Sequence, residues 1–259
     1  MVSGKELRLS RVTHNGRMIC VPMDHGITIG PVKGLKDMEA TIGKVREGGA
    51  TAVIVHKGII RNLSKSPGLG LIMHLSGSTS VGVPGWKVRV GSVEEAVLLG
   101  VDGVSVHVNI GDEREPEMLE KLGAVADDCD RWGMPFLAMM YPRGRGIKNP
   151  NDPETIAHVT RVGGELGADI VKTTYTGDPD SFREVVRSCP APVVIAGGPK
   201  MDTEREVLEM VVGAIEAGAI GVTFGRNVFQ HDNPTAIVRA LSYLIKEGAS
   251  VEEALKALK

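Results

Sequence analysis

At four places along the chain, a segment with helical spacing of apolar residues ends at glycine or another small residue, and a short β-branched run follows. These are "KVREGGATAVIVHKG", "VEEAVLLGVDGVSVHVN", "TIAHVTRVGGELGADIVKT" and "VVGAIEAGAIGVTFG". Glycine supplies the left-handed residue that closes a helix. The apolar runs after it do not alternate with polar residues, as expected of strands covered on both faces in a parallel sheet. Extending this pattern predicts strands near residues 18–23, 52–57, 71–76, 103–108, 136–141, 169–173, 193–197 and 220–224. Helices are predicted between most of them, over about 36–48, 92–100, 115–132, 153–167, 179–188, 203–217 and 234–247. The second connection, around Ile59 to Ser66, is short and irregular, and the count of elements rests least on it.

Start signals agree with these limits. Ser92 with Glu95, and Thr203 with Glu206, have the spacing of a capping box. Asp152, Pro153 and Glu154 read as an N-cap followed by proline at the first helical position. Strands alternating with helices eight times over predict a (β/α)8 TIM barrel. The competing open, doubly wound sheet calls for a GxGxxG after its first strand, and none is present. No composition break or linker interrupts the pattern. The expectation is one barrel domain over residues 1–259, with a short N-terminal extension and a C-terminal helix at "VEEALKALK".

Composition removes several function classes. The 259 residues are 42% hydrophobic and 24% charged, ordinary for a globular chain, with a formal net charge of −2. That charge balance gives no general attraction to nucleic acid or anionic membrane. Aromatic residues make up only 3%, too few for a surface that stacks single-stranded bases. Cys20, Cys129 and Cys189 stand far apart without a CxxC pair, which suits a reducing cytoplasm better than a disulfide or zinc framework. The opening "MVSGKELRLSRV" is mixed and charged, with no apolar run for a signal peptide or membrane span.

In a (β/α)8 barrel the chemistry sits at the C-terminal strand ends. Here nearly every predicted exit carries a polar group: Asp24 and His25, His56 and Lys57, His74 and Ser76, His107 and Asn109, Tyr141 and Arg143, Lys172 and Thr173, Gly197 and Gly198, and Gly225 with Arg226. In "GADIVKTTYTGD" a lysine stands near the end of an apolar run. Desolvation there disfavours the ammonium and would make Lys172 a nucleophile towards a ketone. The alternative is a structural lysine paired with a carboxylate such as Asp24. Tyr141 is a proton donor or a half-buried phenol bonded to backbone. Asp24 is a general base or simply a partner for a lysine. The turns "AGGPK" and "FGRN" follow the last two strands, the pair that barrels most often use for phosphate, which favours phosphate binding over two empty turns. Arg143 and Arg226 add candidate anion contacts. His25, His56, His74 and His107 lie on separate exits without HxH or HxxxH pairing, so no metal is expected.

The blocks "VPMDHGITIGPVKGL", "HKGI", "HLSGST", "VHVNIG", "AMMYPRG", "GADIVKTTYTGD", "CPAPVVIAGGPK" and "GRNVFQHDNP", in order from about Arg17 to the end, resemble the archaeal-type class I aldolase family. The resemblance implies that Lys172 forms an imine, with Tyr141 as proton donor and Asp24 as acceptor, and that no cofactor takes part. It implies substrate contacts from Asp24, His25, Gly26, Ile27, Thr28, Tyr141, Pro142 and Arg143, with Gly197, Gly198, Gly225 and Arg226 around a phosphate. Within the family, the polar "SVHVN" exit, the "AMMYPRG" block and the Thr28-Ile29 pair after "DHGI" favour a transaldolase-type synthase over a fructose-1,6-bisphosphate aldolase. Such a synthase uses 6-deoxy-5-ketofructose 1-phosphate and L-aspartate semialdehyde on a route to aromatic amino acids. The resemblance also implies a ring-like homo-oligomer, a decamer being one such assembly. The apolar helix face of "AIVRALSYLI" is either a subunit contact or a face packed on the barrel.

Overall fold

The computed structural model describes residues 2–258. Eight parallel strands close into a barrel: β1 Met18–Pro22, β2 Ala52–Val55, β3 Gly70–His74, β4 Gly103–Ile110, β5 Phe136–Pro142, β6 Ile170–Thr174, β7 Val193–Ala196 and β8 Gly221–Thr223. Each strand pairs with its neighbours in sequence, and the pairing Met18↔Gly221 closes the ring between β1 and β8. All eight predicted strands are present, shifted by one or two residues at their ends.

The strands lack polar alternation because each has two apolar environments. One face packs outward on the helices, through residues such as Val21, Val53, Met73, Val106, Met140, Val171 and Ile195. The other fills the barrel, through Met18, Cys20, Ala52, Ile54, Ile72, Leu137, Met139, Ile170 and Val194. The period of two therefore survives as inside against outside. Followed towards its C-terminal end, the inside row changes from apolar to polar: Ile54 to His56, Ile72 to His74, Met139 to Tyr141, and Ile170 to Lys172.

At the opposite end, an unpredicted helix, Gly4–Val12, closes the barrel floor, with Val12 and Leu9 packed on the inner cluster. Its cations dock on aspartates that precede strands. Lys5 pairs with Asp169 at 3.1 Å and Arg11 with Asp102 at 3.1 Å. The same aspartates accept the backbone N–H groups of Phe136 and Leu71.

Most outer helices match their predicted spans; Glu115–Trp132 and Pro179–Ser188 agree at both ends. The irregular connection after β2 holds only the short helix Lys57–Arg61. Thr203 and Glu206 form the expected capping box. Ser92 forms half of one: its hydroxyl accepts the Glu95 N–H, but the Glu95 carboxylate instead meets Lys57 at 3.0 Å and Arg61 at 2.6 Å. Two opposite charges outcompete a single amide. The segment between β3 and the next helix carries an unpredicted two-stranded antiparallel ladder, Ser76–Gly77 with Val88–Arg89. The apolar face of Pro234–Ser242 packs inward, where Gly48 of the helix Met38–Gly48 leaves no room for a Cβ (2.6 Å from Thr235 O). This face belongs to the barrel and is not open for subunit contact.

Candidate active site

The inward polar row forms the C-terminal mouth of the barrel. A cavity of about 250 Å³ there is lined by Asp24, His25, Thr28, Lys87, His107, Tyr141, Arg143 and Lys172, and by the turns of Gly197, Gly198, Gly225 and Arg226. Residues from six strand exits, those of β1 and β4 to β8, thus meet at one place, with Lys87 added by the loop after β3. A second, larger cavity of about 600 Å³ adjoins it through Asp24 and runs under residues 26–35 and the helix Lys57–Arg61.

Lys172 is held by the ladder, opposite Met139 of β5 and Val194 of β7, both apolar. It is only 6% exposed. Asp24 makes its close charged contacts to the histidines His25 (3.6 Å) and His74 (3.7 Å), and no ion pair among the described residues includes Lys172. The structural lysine–aspartate pair is therefore not what the fold builds. Burial works to raise the Asp24 carboxyl, but His74, His25, Lys172 and His56 outweigh it and hold Asp24 well below the usual carboxylate range.

The histidines are shifted the other way. Burial pushes His74 down to about 3 against the pull of Asp24. Burial likewise lowers His25 and His56, and lowers His107 well below its ordinary value with Lys87 and Arg143 adding to the effect. In all four, burial favours the neutral imidazole over the charged one. His74 Nδ1 lies 2.8 Å from the Ser105 hydroxyl. Asn109 donates to Gly85 O at 2.7 Å, so its Oδ1 accepts from His107 Nε2 at 2.8 Å. The His107 ring in turn packs on Tyr141, centroids 4.9 Å apart, and the Arg143 guanidinium lies over that phenol ring at 4.3 Å. Tyr141 is thereby fixed at the rim.

The turns after β7 and β8 interlock. Asn227 donates to Gly197 O (2.7 Å) and Pro199 O (3.2 Å), and Arg226 donates to Gly198 O at 2.9 Å. Gly198 sits at φ +65, a conformation that glycine adopts without strain. At Gly225 a Cβ would come within 2.7 Å of the His25 ring, so close packing requires glycine there as well.

Of the residues singled out from sequence, Asp24, His25, Thr28, Tyr141, Arg143, Lys172, Gly197, Gly198, Gly225 and Arg226 come together in the mouth cavity. Gly26 and Ile27 line the adjoining larger cavity instead. Pro142 is buried at the end of β5 and lines neither. Thr173 faces away from the barrel interior because the period of two sends it to the helix side. Sequence reasoning missed Ile29 and Lys87 as lining residues, and with them Met139, Thr174, Ala196 and Thr223. The last four were legible from alternation once the strand ends were placed. Lys87 was not, because it sits on a loop rather than at a strand exit.

A family model described as "DeoC/LacD family aldolase" matches residues 18–231. The chain is 44% identical over 255 residues to 2-amino-3,7-dideoxy-D-threo-hept-6-ulosonate synthase of Halobacterium salinarum, covering 98% of this chain and 96% of that protein. It is 42% identical over 246 residues to 2-amino-4,5-dihydroxy-6-oxo-7-(phosphonooxy)heptanoate synthase of Streptomyces griseus, covering 93% and 90%. A solved archaeal fructose-1,6-bisphosphate aldolase, with its catalytic Lys covalently bound to the carbinolamine intermediate of the substrate, superposes with a TM-score of 0.87 at 33% identity. That match covers 94% of this chain and 99% of the aldolase.

Proposed function

Because the chain belongs to the DeoC/LacD family of aldolases, we propose that it is a Schiff-base synthase of the transaldolase type, making 2-amino-3,7-dideoxy-D-threo-hept-6-ulosonate for aromatic amino acid biosynthesis through 3-dehydroquinate. The observation that carries this reading is Lys172, a buried amine on the inner face of β6, without an ion pair, in one cavity with Asp24, Tyr141 and the glycine turns. Near-full-length identity of 44% to a synthase, against 33% to an aldolase, favours the synthase within the family.

In the proposed cycle the Lys172 amine adds to the ketone beside the methyl group of 6-deoxy-5-ketofructose 1-phosphate. Tyr141 supplies the proton with which the carbinolamine loses water. The protonated imine is an electron sink, so the adjacent carbon–carbon bond breaks as Asp24 takes the proton from the hydroxyl on the departing side. An aldehyde carrying the phosphate leaves, and a neutral enamine stays on Lys172. The enamine carbon then attacks the aldehyde of L-aspartate semialdehyde, and Asp24 returns its proton to the new hydroxyl. Hydrolysis of the imine frees the product and the lysine. The turns of Gly197, Gly198 and Gly225, with Arg226, hold the donor phosphate through backbone N–H groups and one guanidinium. Gly26, Ile27 and Pro142 belong to the frame of this site, next to the groups that touch substrate.

No helix among the described residues is long and apolar enough to cross a membrane. A cytoplasmic location and a homo-oligomeric state are part of the same proposal. Leu7, Leu98 and Trp132, at 52%, 86% and 42% exposure, are apolar side chains that an assembly would cover.

Borohydride reduction in the presence of donor tests the mechanism. Mass analysis should find the reduced adduct on Lys172, and Lys172→Ala should neither trap nor turn over. Condensation with aspartate semialdehyde, assayed beside cleavage of fructose 1,6-bisphosphate, tests the substrate. Efficient cleavage of the bisphosphate with no use of the semialdehyde would make the protein a fructose-bisphosphate aldolase instead.

A further inference from the structure

The mouth cavity is lined by the cations Lys87, Arg143, Lys172 and Arg226 and by one carboxylate, Asp24. One anionic substrate group does not account for so much positive charge. The cations also stand apart. Arg226 lies with the glycine turns after β7 and β8, whereas Lys87 and Arg143 follow β3 and β5, across the mouth by strand order. Neither Lys87 nor Arg143 makes an ion pair among the described residues; Lys87 donates to the Ser78 hydroxyl and Arg143 stacks on Tyr141.

Lys87 is nevertheless firmly held. The side chain of Lys121, reaching from the helix Glu115–Trp132, donates to the carbonyl oxygens of Lys87 (2.5 Å) and His107 (2.9 Å). It ties the loop after β3 to strand β4. A lysine buried to 8% exposure on an outer helix is costly unless its amine is used, and here it is used to fix the backbone of another lysine. Burial lowers the Lys87 ammonium from its ordinary value, Arg143 adds to this and Asp24 opposes it. An anion placed between Lys87 and Arg143 would restore the charged form.

We propose that Lys87 and Arg143 form a second anion subsite, across Lys172 from the glycine turns, that binds the carboxylate of the acceptor aldehyde, and that Lys121 is its positioning residue. This rests on the function proposed above. Two anionic groups pass through the mouth in one turnover, the donor phosphate and the acceptor carboxylate. The turns with Arg226 serve the first. A semialdehyde anchored by its carboxylate at Lys87 and Arg143 presents its carbonyl carbon towards the enamine on Lys172.

The test compares kcat/KM for L-aspartate semialdehyde with that for butanal, the same carbon chain without charges, in wild type and variants. Loss of a charge-assisted hydrogen bond in Lys87→Met should lower this ratio roughly ten- to hundredfold, with the change in the acceptor KM. Lys87→Arg should restore most of it. Lys121→Met should move the ratio in the same direction; a fall in Tm with the ratio intact would leave Lys121 a structural pin only and overturn its positioning role. An unchanged ratio in Lys87→Met overturns the subsite. So does a donor KM that rises in step with the acceptor KM, since Lys87 would then serve the phosphate. A wild-type enzyme that condenses neither aldehyde overturns the function and this inference with it, an outcome distinct from a working wild type with an indifferent variant.

Discussion

Replacing Lys172 by methionine should abolish the chemistry and stabilise the protein. The side chain is 6% exposed, and its ladder neighbours are Met139 and Val194. A polar group buried without a good partner costs about 1–3 kcal/mol in protein interiors. Methionine matches the length of the stem, fits an apolar surrounding and adapts to gaps. Against this gain stands the lost attraction between Lys172 and Asp24, which helps to keep that carboxyl ionised. The net expectation is a gain of about 1–2 kcal/mol, a rise in Tm of roughly 2–8 °C for a domain of this size. Calorimetry on both proteins at neutral pH reads the stability, and borohydride trapping with donor reads the chemistry. A Tm that falls by more than about 2 °C would mean that the amine holds the barrel together, and the nucleophile reading would lose its physical basis.

Asp24→Asn should lower the rate of carbon–carbon cleavage by about 10²–10⁴ while the donor imine still traps on Lys172; near-wild-type cleavage would remove Asp24 as the proton acceptor. His74, pushed from an ordinary 6.5 down to about 3, refuses a proton that the unfolded chain accepts, so stability should fall as pH drops from about 6.5 towards 3. Asp24, also depressed, contributes with the same sign below its unfolded value, and Tm measured from pH 8 to 4 should show the decline, flattened in His74→Gln. Gly225→Ala places a Cβ 2.7 Å from the His25 ring and 3.0 Å from Pro22 O, which should cost about 1–3 kcal/mol in urea unfolding and raise the donor KM.

The barrel was legible because its signal repeats: a glycine stop followed by a β-branched run marks a strand at four places, and the apolar runs between them bring the count to eight, which leaves little choice of fold. The mouth was legible for the same reason, since Asp24, Tyr141 and Lys172 lie where strands end. What stayed hidden comes from groups that obey no period. Lys87 reaches the site from the loop that carries the Ser76–Gly77 and Val88–Arg89 ladder, whose strands are two residues each and too short to leave a pattern. The floor helix Gly4–Val12 has a mostly charged surface and buries only Val12 fully, so its apolar stripe is too narrow to announce a helix. Glu95 read as a capping partner because spacing shows only what lies three residues away, while Lys57 and Arg61 approach it through the fold.

The two ends of the barrel divide stability and chemistry between them. At the floor, polar groups are satisfied: Asp169 takes Phe136 N–H at 2.8 Å and Lys5 at 3.1 Å, and Asp102 takes Leu71 N–H and Arg11, each at 3.1 Å. At the mouth, Asp24 Oδ1, His25 Nδ1, His56 Nε2 and Arg226 Nε are buried without a hydrogen-bond partner in the fold. Such groups each cost free energy; those of Asp24, His25 and Arg226 line the cavity that holds Lys172, and that of His56 belongs to the adjoining cavity. They persist because the closed ladder and the docked floor helix over-determine the strand ends that carry them. On the proposed mechanism, a donor bound through Lys172 would meet polar groups already in place and give them partners as it enters, so binding energy would go into organising the reaction instead of rearranging the protein.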